Sequence, residues 1–439
     1  MFTPATVLGF WFRGLLSIAI VCGGIWLMYE WYDGLPRVIV FDEGTNTVTK
    51  TDLSELPEQN LGMQPLTPVQ RLAAWQPGFD RITIMFVGGL LCLLASVAGR
   101  WLHPSLLFLN RKEVSPRMPV GESHQLSGRD GAQLHVMTYG SSNLPTIILT
   151  HGWVMNHKEW AYLVNALQDR FRLIAWDLPG LGKSTQPRDK DFRLEKLAED
   201  LQTVMEFSGS NPVTLMGHSI GGMITLTLCR VFPQLMGSRV NKLVLVHTTY
   251  TNPLRTTLWS ALYTALQKPV IEPMLYLQIA ISPVAWAMTW LSYWNGSVHS
   301  STMRNGFSRT ASRSKLNFAA DFTPYASPAV LARGGLGMLQ YDATKTLPTI
   351  KIPVLLIAAD KDPLTTPEAS EYMRTALPNA KLVTMQPAKH FGMIEYDAQF
   401  ANAVKDFCSD KSESQKNSEP LKNVVKGLKQ KQPALEPRN

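Results

Sequence analysis

Hydrophobic and polar positions divide the chain into three parts. Residues 7–29 are almost wholly apolar, and residues 82–98 form a second apolar run that contains no charged residue. Each run is long enough to cross a bilayer when its flanks are included. After residue 118, short apolar runs alternate with amphipathic stretches, and residues 409–439 are polar and rich in lysine. The pattern predicts a membrane anchor of two transmembrane helices over residues 1–118, then a folded domain, and then a disordered tail.

The charges around the two apolar runs predict the orientation of the anchor. Arg13 lies near the start of the first run, whereas the loop 30–81 leans towards acidic residues. A basic cluster follows the second run, formed by Arg100, Arg111, Lys112 and Arg117. Because basic residues stay on the cytoplasmic side, we expect the loop outside and the folded domain in the cytoplasm. A cleaved signal peptide is the alternative for the first run, but that run lacks a basic start and ends in aromatic residues typical of a membrane interface.

Residue size and type predict two details of the anchor. Ala19 with Gly23, and Ala95 with Gly99, are small residues at four-residue spacing, which would let the two helices pack closely. Residues 37–41 of the outer loop are mostly apolar and β-branched, which indicates a short strand or hairpin.

The folded domain is predicted to be an α/β protein. Strands are expected at 133–139, 146–150, 171–176, 213–216, 242–247, 353–359 and 381–385, and helices at 160–167, 194–207 and 222–232. Strands and helices that alternate at this spacing form a mostly parallel sheet covered by helices on both faces. Such sheets place their functional loops at the carboxyl ends of the strands.

Composition excludes several classes of function. Charged residues make up 17% of the chain, below the usual quarter, which agrees with membrane segments. The net charge is +8, but the basic residues are scattered and predict no nucleic-acid surface. The four cysteines lack the spacing of a metal site or a disulfide framework. The turn 177–184 resembles a phosphate loop but lacks its glycine spacing. We therefore predict no metal and no cofactor.

Gly217-His218-Ser219-Ile220-Gly221 carries the most specific chemical signal in the chain. It lies between a predicted strand and a predicted helix, which is the setting of a nucleophile elbow. Gly217 and Gly221 remove side chains that would collide with the neighbouring strand or helix at so sharp a turn. The start of the helix directs free N–H groups towards Ser219, where negative charge would develop. We therefore predict Ser219 as a nucleophile.

An acid and a base follow Ser219 in the order that such a serine needs. A serine hydroxyl requires an imidazole to take its proton and a carboxylate to orient that imidazole. His390 follows the last predicted strand and is the candidate base. Asp362 and Asp360 both follow the preceding strand, and we favour Asp362 because it lies further into the loop. The stretch His151-Gly152-Trp153 predicts an oxyanion loop, in which the N–H groups of Trp153 and Ile220 are the donors.

Together, His151-Gly152-Trp153, the turn 177–184, the elbow 217–222, Asp360-Lys361-Asp362-Pro363 and His390-Phe391 resemble the α/β-hydrolase fold superfamily, in its esterase, haloperoxidase-like and C–C hydrolase branch. The resemblance covers about residues 119–408 and implies the triad and oxyanion donors named above. Ala359 and Lys389 stand where the family often has glycine. A serine at 219 argues against the dehalogenase and epoxide hydrolase branches, which use aspartate.

An insertion of the kind that forms a helical cap in this family is predicted at 248–345, between core segments 119–247 and 346–408. Within it, residues 274–294 are strongly apolar and broken by Pro283. We interpret this segment as a cap helix that is buried or dips into a membrane interface, and the alternative is a third membrane span. An apolar lid favours an apolar, lipid-like acyl substrate.

These observations predict a membrane-anchored serine esterase or lipase-like enzyme. Ser219 would attack a carboxylic ester or related acyl bond and form an acyl-enzyme, which water activated by His390 would release. C–C bond hydrolysis and acyl transfer are the alternatives that use the same residues. A non-catalytic binding protein with this fold is the alternative from another class, and its mark would be a missing triad residue.

Overall fold

A computed structural model of the chain describes residues 4–42, 47–51, 62–107, 116–308 and 311–409. Residues 410–439, most of the predicted tail, lie outside these ranges. The chain forms two compact units. The first unit comprises residues 1–9, 108–286 and 300–439, and the second comprises residues 10–107 and 287–299.

The second unit is built largely from two long apolar helices. Helix α1 spans Pro4–Asp33 and α3 spans Arg81–Leu107. Both are long and apolar enough to cross a membrane, judged by length and composition. Between them lie strands β1 Val38–Asp42, β2 Thr47–Thr51 and β3 Gly62–Pro65, and helix α2 Pro68–Ala74. The strands pair antiparallel in the order β2-β1-β3, so the strand expected near residues 37–41 is confirmed. Membrane insertion, and the side on which each end lies, stay predictions.

Small residues lie where the two long helices contact each other, but one of the small residues expected there does not. A side chain on Gly24 would press on Cys92 and Leu93 of α3, and one on Gly89 would press on Met28 of α1. Among the described residues, nothing lies within 4 Å of a side chain built on Gly23. The prediction of close packing at Gly23 is therefore wrong, because its neighbour Gly24 faces the partner helix instead.

An eight-stranded sheet organises the first unit. Its strands are β4 Glu122–Ser127, β5 Gln133–Tyr139, β6 Thr146–Thr150, β7 Arg172–Trp176, β8 Val213–His218, β9 Val240–Val246, β10 Val354–Ala359 and β11 Ala380–Met385. They lie in the order β11-β10-β9-β8-β6-β7-β5-β4. The six strands β11, β10, β9, β8, β6 and β7 pair parallel with their neighbours in this order. At one edge, β5 pairs antiparallel with β7, and β4 pairs antiparallel with β5. The predicted α/β class with a mostly parallel sheet is confirmed.

Helices cover both faces of this sheet, which explains why its central strands are buried at every position. The helices beside the sheet are α4 Ala161–Leu167, α5 Leu194–Phe207, α6 Ile220–Val231, α13 Pro367–Ala376, α14 Gly392–Glu395 and α15 Asp397–Ser409. Ile148 packs in one apolar cluster with α5 and α6, and its neighbour Leu149 packs in another with α4 and α15. Successive strand residues point to opposite faces, so each cluster is one half of the core.

Among the described residues, six α-helices lie between β9 and β10, where the cap is predicted. They are α7 Ser260–Leu266, α8 Glu272–Ala280, α9 Ser282–Trp294, α10 Ser297–Gly306, α11 Arg313–Ala320 and α12 Pro328–Leu339. The apolar segment 274–294 is bent by 98° where α8 ends and α9 begins. The limits of the cap, 248–345, stay a prediction.

Candidate active site

Ser219 lies between the end of β8 and the start of α6, as the elbow motif predicts. Its backbone has φ 55° and ψ −118°, in a region that non-glycine residues rarely adopt. Backbone strain of this kind costs about 1–3 kcal/mol and persists where the surrounding structure enforces it. The burial of the whole elbow provides that enforcement, because Ser219 is only 1% exposed.

Glycine is required at both flanks of the elbow. A Cβ atom on Gly217 would overlap the backbone of Gly221, and a Cβ on Gly221 would overlap the carbonyl oxygen of Thr150 in β6. These overlaps involve backbone atoms, which cannot move aside as a flexible side chain can. The close approach of α6 to β8 and β6 therefore depends on the two glycines.

Ser219, His390 and Asp362 form one continuous line of hydrogen bonds. The Ser219 hydroxyl donates to Nε2 of His390 at 3.2 Å, and Nδ1–H of His390 donates to Oδ2 of Asp362 at 2.7 Å. His390 follows β11, and Asp362 follows β10, so the three residues meet at the carboxyl ends of parallel strands. All three side chains are buried.

The two candidate acids have different partners. Oδ1 of Asp362 accepts the backbone N–H groups of Leu364 and Thr365, and the Thr365 hydroxyl donates to Oδ2. Asp360 instead accepts the N–H of Ala388 through Oδ1 at 2.7 Å. Asp360 therefore braces the loop before His390, whereas Asp362 contacts the imidazole itself.

The electrostatics of the site keep the acid ionised and the base neutral. Burial opposes ionisation of Asp362, but the charge and hydrogen bond of His390 outweigh it and lower the pKa of Asp362 to about 2. Burial lowers the pKa of His390 below its ordinary value, although Asp362 opposes that shift. Near neutral pH, Nε2 of His390 can therefore accept a proton from Ser219.

The two expected oxyanion donors lie at the ends of β6 and β8. Trp153 follows β6, and Ile220 is the first residue of α6. Within the described ranges, the backbone N–H of neither residue is paired with a protein acceptor. The Trp153 indole is held by α12. It donates to the carbonyl of Leu331 at 3.1 Å, and a side chain on Gly334 would overlap it. Trp153 thus packs against α12.

Glu159 is a buried acid beside the site that the sequence did not reveal. It lies in a short 3₁₀ turn, His157–Trp160, after the oxyanion loop and is 2% exposed. Oε2 accepts the N–H of Gly152 at 2.8 Å, and Oε1 pairs with Nδ1 of His218 at 2.6 Å. Burial opposes ionisation of Glu159, but His218 outweighs it and holds the pKa of Glu159 below its usual value. One carboxylate therefore ties the oxyanion loop to the elbow.

The backbone carbonyl of His390 joins this network to the base. Nε2–H of His218 donates to it at 3.3 Å, and Nδ1–H of His247 donates to it at 2.9 Å. Burial lowers the pKa of His247 to about 3, so this ring is neutral and suits a structural role. The sequence assigned no role to the imidazole of His218 or His247. Both instead fix the loop that carries His390.

Replacing Glu159 by glutamine is expected to lower kcat about 10-fold to 100-fold and to change KM little, since a hydrogen bond to a charged group contributes about 1.5–3 kcal/mol. The two bonds use different oxygens of Glu159, and in glutamine an NH₂ donor replaces one of them, so the side chain cannot accept from both Gly152 and His218 in place. The change is measured by steady-state kinetics with thermal unfolding as a check on folding. Glu206→Gln, at an exposed position of α5, is the matched control. Equal kcat values for the two variants would show that the Glu159 hydrogen bonds do not contribute to catalysis.

Asp177 forms a second buried cluster with two histidines. His135, His157 and Asp177 place possible metal-ligand atoms within 4.8 Å of one another. The Asp177 oxygens, however, already accept from Nδ1–H of both imidazoles and from the backbone N–H groups of His157 and Lys183. These bonds outweigh burial and hold the pKa of Asp177 well below its usual value. We interpret the cluster as the structural centre of the turn 177–184.

Comparison with known proteins agrees with this architecture. The family model for the alpha/beta hydrolase fold matches residues 145–270 and 273–397, more than half of the chain. The chain is 26% identical over 262 residues to AB hydrolase superfamily protein YisY of Bacillus subtilis, covering 60% of this chain and 90% of that protein. It is 27% identical over 284 residues to pimeloyl-[acyl-carrier protein] methyl ester esterase of Nitrosomonas europaea, covering 62% and 98% respectively. The solved esterase EaEST from Exiguobacterium antarcticum matches with a TM-score of 0.55 at 20% identity and covers 66% of this chain and 100% of its own, which supports the shared fold.

Proposed function

Since this chain belongs to the alpha/beta hydrolase fold family, we propose that it is a serine hydrolase that cleaves a carboxylic ester or a related acyl bond. The observation that carries the proposal is the line of hydrogen bonds from Asp362 through His390 to Ser219. A buried hydroxyl on a strained elbow, beside a neutral imidazole whose other nitrogen faces a carboxylate, has the arrangement of an activated nucleophile.

In the first half of the reaction, Ser219 Oγ attacks the carbonyl carbon while its proton passes to Nε2 of His390. The electron pair of the C=O bond moves onto oxygen, and the N–H groups of Trp153 and Ile220 stabilise the resulting oxyanion. Asp362 stabilises the imidazolium. When the tetrahedral intermediate collapses, His390 gives the proton to the leaving alcohol, the ester C–O bond breaks, and an acyl-enzyme remains on Ser219.

In the second half, water replaces the alcohol. His390 takes a proton from water, whose oxygen attacks the acyl carbon and forms a second oxyanion at the same two N–H groups. The proton then returns to Oγ as the acyl–serine bond breaks, which releases a carboxylic acid and restores Ser219. Each half uses the same base and the same oxyanion donors, so no further catalytic group is required.

The relatives and the long helices support one class of substrate. The Nitrosomonas europaea relative is named as a methyl ester esterase, which supports an ester as the bond that is cleaved here. We assign α1 and α3 as membrane anchors, because their length and composition suit a bilayer and residues such as Phe12 and Leu91 leave their outer faces apolar. An enzyme held at a bilayer meets esters with apolar acyl or alkyl chains, so we propose a lipid-like apolar ester as the substrate.

Hydrolysis of p-nitrophenyl esters of increasing acyl length by the full chain in detergent tests this function. We expect turnover with an optimum at one chain length, and loss of turnover after treatment with a fluorophosphonate, which modifies activated serines. Protein treated with the hydrolysed fluorophosphonate is the control. Fluorophosphonate labelling without turnover of any ester would mean that the serine is activated but that the enzyme cleaves a bond other than an ester. Absence of both would contradict the serine hydrolase proposal.

A further inference from the structure

A segment from the middle of the chain lies in the same compact unit as the long apolar helices. Residues 287–299 follow the bend between α8 and α9 and belong to the second unit with residues 10–107. We propose that residues 287–299 form a third membrane element, which enters one leaflet of the bilayer beside α1 and α3 and does not cross it. The inference rests on the membrane anchoring included in the proposed function, and the experiment below separates the two.

The contacts with α1 combine close packing with paired polar groups. A side chain on Gly14 would overlap the Met288 side chain, so Met288 lies directly on the backbone of α1. One turn further along α1, Ser17 accepts from Asn295 Nδ2 at 2.7 Å, and its hydroxyl lies 3.1 Å from that of Ser292. Ser17 itself donates to the Arg13 carbonyl at 2.6 Å. Hydrocarbon offers polar groups no other partners, and here the serine and asparagine side chains satisfy one another.

The contact with α3 brings backbone against backbone. A Cβ on Gly99 would overlap the carbonyl group of Asn295, and a Cβ on Gly296 would press on the carbonyl group of Gly99. Such an approach is possible only because both residues are glycine. Small residues at the contact point are the usual means by which helices associate in lipid, where no hydrophobic force drives them together.

Arg100 indicates the depth of this contact. Its guanidinium lies 4.8 Å from the ring centroid of Trp101, 4.8 Å from that of Tyr293 and 4.9 Å from that of Trp294. Tryptophan, tyrosine and a basic residue occur together where acyl chains meet headgroups. The segment therefore meets α3 at a membrane interface.

The geometry of the chain limits the segment to one leaflet. α7, α8 and α9 together have the composition of a membrane span, but they are bent by 98°. Helix α9 alone has 13 residues, about 20 Å, which is shorter than the hydrocarbon core of about 30 Å. Lipid is the occupant we assign to the exposed position Ala287, because exposed residues of α1 and α3 in the same unit, such as Phe12 and Leu91, are apolar.

Fluorescence at single cysteines in the full chain tests the proposal. The four native cysteines, all free thiols, are replaced by alanine, and an environment-sensitive fluorophore is attached at Ala287→Cys in nanodiscs that contain lipids with quencher-bearing acyl chains. Phe12→Cys, on the exposed face of α1, is the lipid reference, and Glu371→Cys, on the surface of α13, is the water reference. We expect quenching at 287 and 12 and none at 371. Quenching at 12 but not at 287 would overturn the third element, whereas no quenching at 12 would contradict the membrane anchor itself.

Two glycines of the same unit provide a matched pair of variants. Gly99→Leu is expected to expel the segment and to reduce quenching at position 287 to the level of the water reference. Gly23→Leu should leave quenching unchanged, because a side chain there has open space around it among the described residues. If Gly99→Leu does not accumulate, Asn295→Ala removes the contact with Ser17 without adding bulk and should reduce quenching partly. Full quenching in both Gly99→Leu and Asn295→Ala would overturn the proposed docking on α1 and α3.

Discussion

Replacing Ser219 by alanine is expected to lower kcat about 10⁶-fold, which is the scale of effect when the nucleophile of a serine triad is removed. Alanine removes Oγ, the atom that would form the acyl-enzyme, and leaves His390 and Asp362 in contact. The backbone strain is unaltered, because alanine at φ 55° is as unfavourable as serine. The loss should therefore come from chemistry and not from unfolding. Steady-state ester hydrolysis and fluorophosphonate labelling measure it, with a thermal unfolding curve for each protein.

Ser308→Ala is the matched control for this experiment. Ser308 is also buried, but its hydroxyl donates to the carboxylate of Glu395 and not to a histidine. It should keep fluorophosphonate labelling and most of its activity per folded molecule. Labelling that persists in Ser219→Ala would place the nucleophile elsewhere in the chain.

Replacing Asp362 by asparagine is expected to lower kcat about 10⁴-fold, the scale seen when a triad carboxylate becomes an amide. Two backbone N–H groups, of Leu364 and Thr365, point at Oδ1, so the single oxygen of asparagine is best placed there. The NH₂ group then faces Nδ1 of His390 and favours the tautomer with its proton on Nε2. In that tautomer Nε2 cannot accept the proton of Ser219.

Asp360→Asn is the matched control for Asp362→Asn. Its oxygen can still accept from the N–H of Ala388, so activity should fall by less than about 10-fold, the scale of one neutral hydrogen bond. Steady-state kinetics of the two variants, with labelling of Ser219 as a second readout, compare them directly. A larger loss in Asp360→Asn than in Asp362→Asn would reassign the acid.

The sequence predicted those parts of the structure that depend on local pattern. The runs 146–150 and 133–139 are strands within the predicted limits, and the amphipathic stretch 194–207 is helix α5. The resemblance to the α/β-hydrolase fold is confirmed by the family match. A glycine-flanked serine between a strand and a helix is equally local, because the turn itself selects those residue types.

Contacts between distant parts of the chain were not predictable in this way. Glu159 is an acid in a short turn, and no periodicity or neighbour indicates that it pairs with His218, which comes much later in the chain. Pro283 marked the break in the apolar run 274–294, but composition does not record the angle of 98° or the partner of each half. Similarly, glycine spacing suggested contact at Gly23, although the direction of each residue on α1 decides that contact.

The insertion between β9 and β10 has a consequence for biosynthesis. Ser219 precedes the insertion, whereas Asp362 and His390 follow it, and β10 pairs with β9 only after the residues between them have been accommodated. That pairing closes a long loop, which is entropically costly and slow compared with local folding. Residues 287–299 of this loop lie in one compact unit with residues 10–107, which are synthesised before them. A chain leaving the ribosome thus holds its serine before its acid and base have been made, and the candidate active site is complete only after the whole insertion has been synthesised.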